Sequence, residues 1–66
     1  MQIKINGKNE TVQNSLNLGE IILGKGLTPE HIVVEHNYNI IAKEEWDKIA
    51  VKDNDNIEII SFVGGG

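Results

Sequence analysis

Only one stretch of this chain is long enough for two turns of helix with apolar residues at helical spacing, and β-type runs stand on both sides of it. That stretch is Leu18 to Lys25, where Leu18, Ile22 and Leu23 form one apolar stripe. Asn14 or Ser15 can cap it, with Leu16 or Asn17 opening the helix. Gly24 and Gly26 end it, and Pro29 prevents its resumption. A chain with one short helix has a single way to cover an apolar sheet: lay that helix across it.

The strands are legible in turn. Ile3 and Ile5 alternate with Gln2, Lys4 and Asn6, the period-two pattern of a half-buried strand. Asn6-Gly7 is a strong two-residue hairpin signal, with Gly7-Lys8 as the other possible turn centre, and Lys8 to Val12 returns as the second strand. Ile32-Val33-Val34 is a β-branched run suited to a central, well-covered strand. Asn37-Tyr38-Asn39 reads as a turn before a short strand at Ile40-Ile41. Lys43 to Lys48 has good helix formers but length for only a single turn, pinned to the body by Trp46 and Ile49. Asp53-Asn54-Asp55-Asn56 is a turn cluster, and Ile57 to Val63 is the last strand.

The pattern predicts an α+β fold, a mixed sheet of four to five strands packed on one main helix. At 66 residues the chain makes one small domain, residues 1–63, followed by a flexible glycine tail, 64–66. A domain of this size buries only about 60% of its unfolded surface. With no Cys, neither disulfides nor a thiolate zinc site can supplement the core. No run approaches the roughly 18 apolar residues of a membrane span. The first residues lack the apolar region and cleavage site of a secretory signal, so a cytoplasmic location is expected. The net charge of −4 comes with no basic patch, which argues against nucleic acid and suits a basic protein partner.

The most informative motif is the ending Val63-Gly64-Gly65-Gly66. Glycines there also suit a frayed terminus or an engineering remnant. Two features point to a function instead. The tail follows directly on a strand, with no linker between. A backbone without side chains can also thread a narrow channel and present its carboxylate to bound ATP, which would turn a poor electrophile into an acyl adenylate. In the strand before it, Ile57 and Ile59 fall on one face, and Glu58, Ile60 and Phe62 on the other. If the first face packs on the helix, Ile60, Phe62 and the adjoining Val63 form an apolar partner-binding surface beside the tail, unless a loop covers them.

Other motifs fail on their own chemistry. Gly19 to Lys25 matches the start of a phosphate-binding loop but lacks the Ser/Thr for magnesium and is helical in period. Asp53 to Asn56 lacks the glycine and bidentate glutamate of a calcium loop. His31 and His36, five apart, point to opposite faces of a strand and read as surface histidines, not as ligands of one metal. Glu44-Glu45 reads as a solvated face. No nucleophile–base–orienter set is discernible, so the chain reads as a carrier and not an enzyme.

Four stretches together resemble the thiamine-biosynthesis sulfur carrier (ThiS) family over essentially the whole chain. They are Ile5-Asn6-Gly7-Lys8, Val34-Glu35-His36-Asn37, Ile40-Ile41-Ala42-Lys43-Glu44-Glu45-Trp46, and Asp53 to Ile59 running on to Phe62-Val63-Gly64-Gly65-Gly66. The resemblance implies a ubiquitin-like β-grasp fold, with the first and last strands as parallel neighbours. It implies that an adenylyltransferase related to ubiquitin-activating enzymes consumes ATP to activate the Gly66 carboxylate, the carrier itself holding no cofactor. Sulfur relayed from cysteine through a desulfurase would then give a thiocarboxylate, which thiazole synthase would accept. The third glycine, Gly64, departs from the two that suffice in the wider family and leaves Gly65-Gly66 intact. The alternatives are a carrier like the small subunit of molybdopterin synthase, or a ubiquitin-like modifier forming isopeptide bonds.

Overall fold

A computed structural model describes residues 1–62. Strand β1 (Gln2–Ile5) turns through Asn6-Gly7 into β2 (Lys8–Thr11), and helix α1 (Leu18–Gly24) follows. A 3₁₀ turn, Pro29–His31, leads into β3 (Ile32–His36) and β4 (Asn39–Ile41); a longer 3₁₀ segment, Lys43–Lys48, precedes β5 (Asn56–Ser61). The five strands lie in the order β2-β1-β5-β3-β4. β1 and β5 are parallel, with Ile5 opposite Ile57, and the other pairs are antiparallel. This is the β-grasp order. The parallel pair requires a long crossover, which α1 and the segments after it supply.

Local chemistry sets each element. Asn6 and Gly7 both hold positive φ, 52° and 81°, as a two-residue hairpin turn demands, and Ile5 sits opposite Lys8, so Asn6-Gly7 is the turn centre. The helix is capped two residues after Ser15, the nearer of the two caps expected from sequence. Asn17, not Asn14 or Ser15, accepts the Glu20 N–H at 2.7 Å, while the Glu20 carboxylate accepts the Asn17 N–H at 2.9 Å. That reciprocal box satisfies two donors at once, which a cap further upstream would leave open. Gly26, at φ 70°, closes the helix C-terminal end, its N–H donating to the Leu23 carbonyl at 3.1 Å.

The core lies between one sheet face and α1. It gathers Ile3, Ile5, Leu18, Ile21, Ile22, Ile32, Val34, Trp46, Val51 and Ile57. Two expectations need correction here. Leu23 is 79% exposed, and the helix stripe is instead Leu18, Ile21 and Ile22, because two turns of helix can bury only about a third of their circumference. Val33 is half-buried on the other sheet face, so β3 is covered on one side only. Trp46 is buried as expected, and its indole N–H donates to the Ile41 carbonyl at 3.0 Å. Among the described residues, no helix is long and apolar enough to cross a membrane.

Candidate functional site

The surface of interest is the sheet face turned away from α1. On β5, Ile57 is fully buried and Ile59 packs against the core, whereas Ile60 and Phe62 are 49% and 46% exposed. The period of two thus puts two of the three predicted partner-binding residues, Ile60 and Phe62, on the open face, and no described loop covers them. The cross-strand register extends the patch in a way the sequence alone did not show. Val33 stands directly opposite Ile60, and Glu35 is flanked by Glu58 on β5 and by Ile40 on β4. Ile40 is 70% exposed. Val33, Ile40 and Ile60 therefore share one apolar face. The signal was present in the alternation of each strand, but assembling it required knowing which strands are neighbours.

Acidic groups interrupt this apolar face. Glu35 and Glu58 oppose one another directly, and like charges in that position destabilise a sheet. Neither belongs to an ion pair among the described residues; the lysine pairs there are Lys25 with Glu10, Lys43 with Glu30, and Lys48 with Glu45, while Lys4, Lys8 and Lys52 belong to none.

At the opposite end of β5 from Phe62, polar residues fasten the strand in place. His36 is not the surface histidine expected from sequence. It lies half-buried with Nε2 2.7 Å from Asp55 Oδ2. Asp55 also accepts the Lys52 N–H at 2.8 Å and the Asn37 amide at 3.1 Å. Burial pushes the Asp55 carboxyl up, but the hydrogen bonds from Lys52, His36 and Asn37 outweigh it and hold the group below its ordinary value. Asn37 in turn accepts the Asn56 N–H at 2.8 Å. The Asp53 to Asn56 cluster is thus a turn whose side chains clamp the start of β5. It sets the register that brings Ile60 and Phe62 to the open face.

The Gly19 to Lys25 segment is helical up to Gly24, and Lys25 is engaged by Glu10 at 2.6 Å, so it forms no phosphate cradle. Among the described residues no three His, Cys, Asp or Glu side chains come together as a metal site. Val63 and the tail, Gly64, Gly65 and Gly66, lie outside the described residues, as does the predicted boundary between domain and tail.

Comparison with known proteins agrees with this architecture. A crystal structure of a thiamine biosynthesis protein (ThiS) from Geobacter metallireducens superposes with a TM-score of 0.86 at 36% identity, covering all of both chains. The sulfur carrier protein ThiS of Bacillus subtilis is 32% identical over 97% of this chain and 98% of its own length. A thiazole synthase of Paramagnetospirillum magneticum is 36% identical across this chain, and one from Magnetococcus marinus is 29% identical. The chain spans only 20% of the length of either synthase. A model of the ThiS family matches residues 3–66, which takes in the sheet, the helix and the glycine ending alike, and the chain belongs to that family.

Proposed function

We propose that this protein is a sulfur carrier of thiamine biosynthesis that works through the Gly66 carboxylate. The observation that carries the reading is an open apolar face, Ile60 on β5 and Phe62 just past its end, directly before Val63-Gly64-Gly65-Gly66 in the sequence. That face lets a partner grip the domain while the slender tail reaches the partner's active site. In this reading an adenylyltransferase is the first partner. One Gly66 carboxylate oxygen attacks the α-phosphorus of ATP, and pyrophosphate leaves. A persulfide sulfur, supplied through a cysteine desulfurase, then attacks the acyl carbon and displaces AMP. A thiol opens the resulting acyl disulfide, leaving the Gly66 thiocarboxylate and a disulfide between the other two sulfurs. Thiazole synthase then accepts the sulfur.

Support for thiazole synthase comes from relatives of that name whose matched fifth aligns with this chain. Glu35 and Glu58, in no ion pair among the described residues, favour a partner that brings Lys or Arg to this face.

The test is ATP–pyrophosphate exchange by the adenylyltransferase with this chain as substrate. Deleting Gly66 is expected to abolish exchange. Ile60→Ser and Phe62→Ser should each raise KM about tenfold or more with thermal stability retained, because each removes an exposed anchor and no core contact. Exchange unaffected by all three changes would overturn the reading.

A further inference from the structure

Beyond its open face, β5 has an unfinished edge. β1 pairs with it only as far as Ile5 opposite Ile57, yet β5 continues to Ser61. The ladder between them runs from the Lys4 N–H to the Asp55 carbonyl and from the Asn6 N–H to the Ile57 carbonyl, both at 2.9 Å. The next bond should join the Ile59 N–H to the Asn6 carbonyl. Asn6 has already turned into the hairpin at φ 52°, and its side-chain Oδ1 takes the Ile59 N–H instead, at 2.7 Å.

Past that point the edge is open. Successive N–H groups of a strand face opposite edges. The Phe62 N–H donates to the His31 carbonyl on the β3 side at 2.9 Å, so the Ser61 N–H faces the β1 side with the Ile59 and Ser61 carbonyls. These three groups have no hydrogen-bond partner among the described residues. They border a groove of about 310 Å³ whose lining combines the apolar Ile5, Leu27 and Ile59 with the charged Lys8, Glu10 and Lys25.

We propose that this edge receives an extended segment of the adenylyltransferase as an added strand, parallel to β5 and continuing the line of β1. The pattern of free groups selects the direction. In a parallel ladder one incoming residue donates its N–H to Ile59 and accepts from Ser61, and the residue two further on donates to the Ser61 carbonyl, so every group is met. An antiparallel strand would bring a carbonyl to the Ile59 N–H, which Asn6 already occupies. The incoming residue that bonds both Ile59 and Ser61 lies beside Ile60 on the open face, and its two neighbours point into the groove over Ile5, Leu27 and Ile59. An apolar side chain fits beside Ile60, and side chains with an apolar stem and a polar end fit the groove with its Lys8, Glu10 and Lys25, so strand and face become one interface. Edge pairing of this kind draws affinity from main-chain bonds and specificity from alternate side chains. The added strand lies alongside the end of β5, from which the tail departs. The inference rests on the function proposed above.

Ser61→Pro tests it, because it deletes the one N–H that faces the open edge and none that faces β3. Its dissociation constant for the adenylyltransferase should rise about tenfold or more over that of Ser61→Ala, which should bind within about twofold of wild type. Amide exchange on the wild-type chain gives a second readout that needs no variant. The Ser61 N–H should be exposed in the free protein and protected in the complex. Equal affinity of the two variants, or an unprotected Ser61 amide in the complex, would overturn the added strand while leaving the sulfur-carrier reading intact. A wild-type chain that the adenylyltransferase neither binds nor activates would overturn both.

Discussion

Asp55 shows how single side chains hold this small fold in register. Its carboxylate accepts from Lys52, His36 and Asn37, and through them joins the end of β3 to the start of β5. The folded protein keeps this carboxyl below its ordinary value of 3.8, so it stabilises the fold fully above that pH. The contribution is lost as the pH falls below about 4 and through the lower folded value, because the native state must then take up a proton it disfavours. Urea denaturation between pH 7 and pH 3 should show stability falling over the acid end of that range. In Asp55→Asn the fall should be shallower. An identical pH profile in the variant would mean that another carboxylate controls the acid limb.

At the scale of elements, the 3₁₀ segment Lys43–Lys48 is the clearest case of tertiary contact deciding what propensity cannot. It is too short to be stable alone. Trp46 plugs it into the core, and the chain after it zips onto the start of α1, with the Leu18 N–H donating to Ile49 and the Val51 N–H to Leu16, at 2.9 and 3.0 Å. Trp46→Ala is expected to cost roughly 3–5 kcal/mol, a large share of what a domain of this size possesses. Trp46→Phe keeps most of the packing and loses the indole bond to Ile41, for about 1 kcal/mol plus any repacking. Guanidinium or thermal unfolding of the two variants should separate these costs. Equal small losses would show that the segment is not held by this side chain.

The elements that could be read from sequence were those with local causes. Asn6-Gly7 encodes its own turn, and Ile3 and Ile5 declare their face by alternation. Readings failed where the cause was distant. The helix cap is the exception, a local signal that was missed: Glu20 stands three residues after Asn17 and completes a capping box, which neither Asn14 nor Ser15 has. Leu23 fits a helical spacing almost as well as Ile21 does, and only the direction of the sheet decides between them. His36 looks like a surface group until the turn at Asp55 is folded against it. The partner face was half legible: Ile60 and Phe62 came from the alternation of one strand, while Val33, Ile40 and the opposed glutamates required the strand order.

For the molecule as a whole, the described side chains divide cleanly between packing and surface. No polar or charged side chain is buried in the described core, and of the large apolar groups left outside, Ile60 and Phe62 stand at the end of β5, Ile40 on β4, Tyr38 in the turn before it and Leu23 on α1. In the proposed reading, a domain built this way offers a grip and a terminus, and the covalent chemistry falls to its partners. The most direct measurement is the intact mass of the chain after incubation with the adenylyltransferase, ATP, a cysteine desulfurase and cysteine. Exchange of one oxygen for sulfur, localised to Gly66 by fragmentation and absent when ATP is withheld, is the predicted result. An unchanged mass, or adducts joining the terminus to lysines of other proteins, would contradict the sulfur-carrier account.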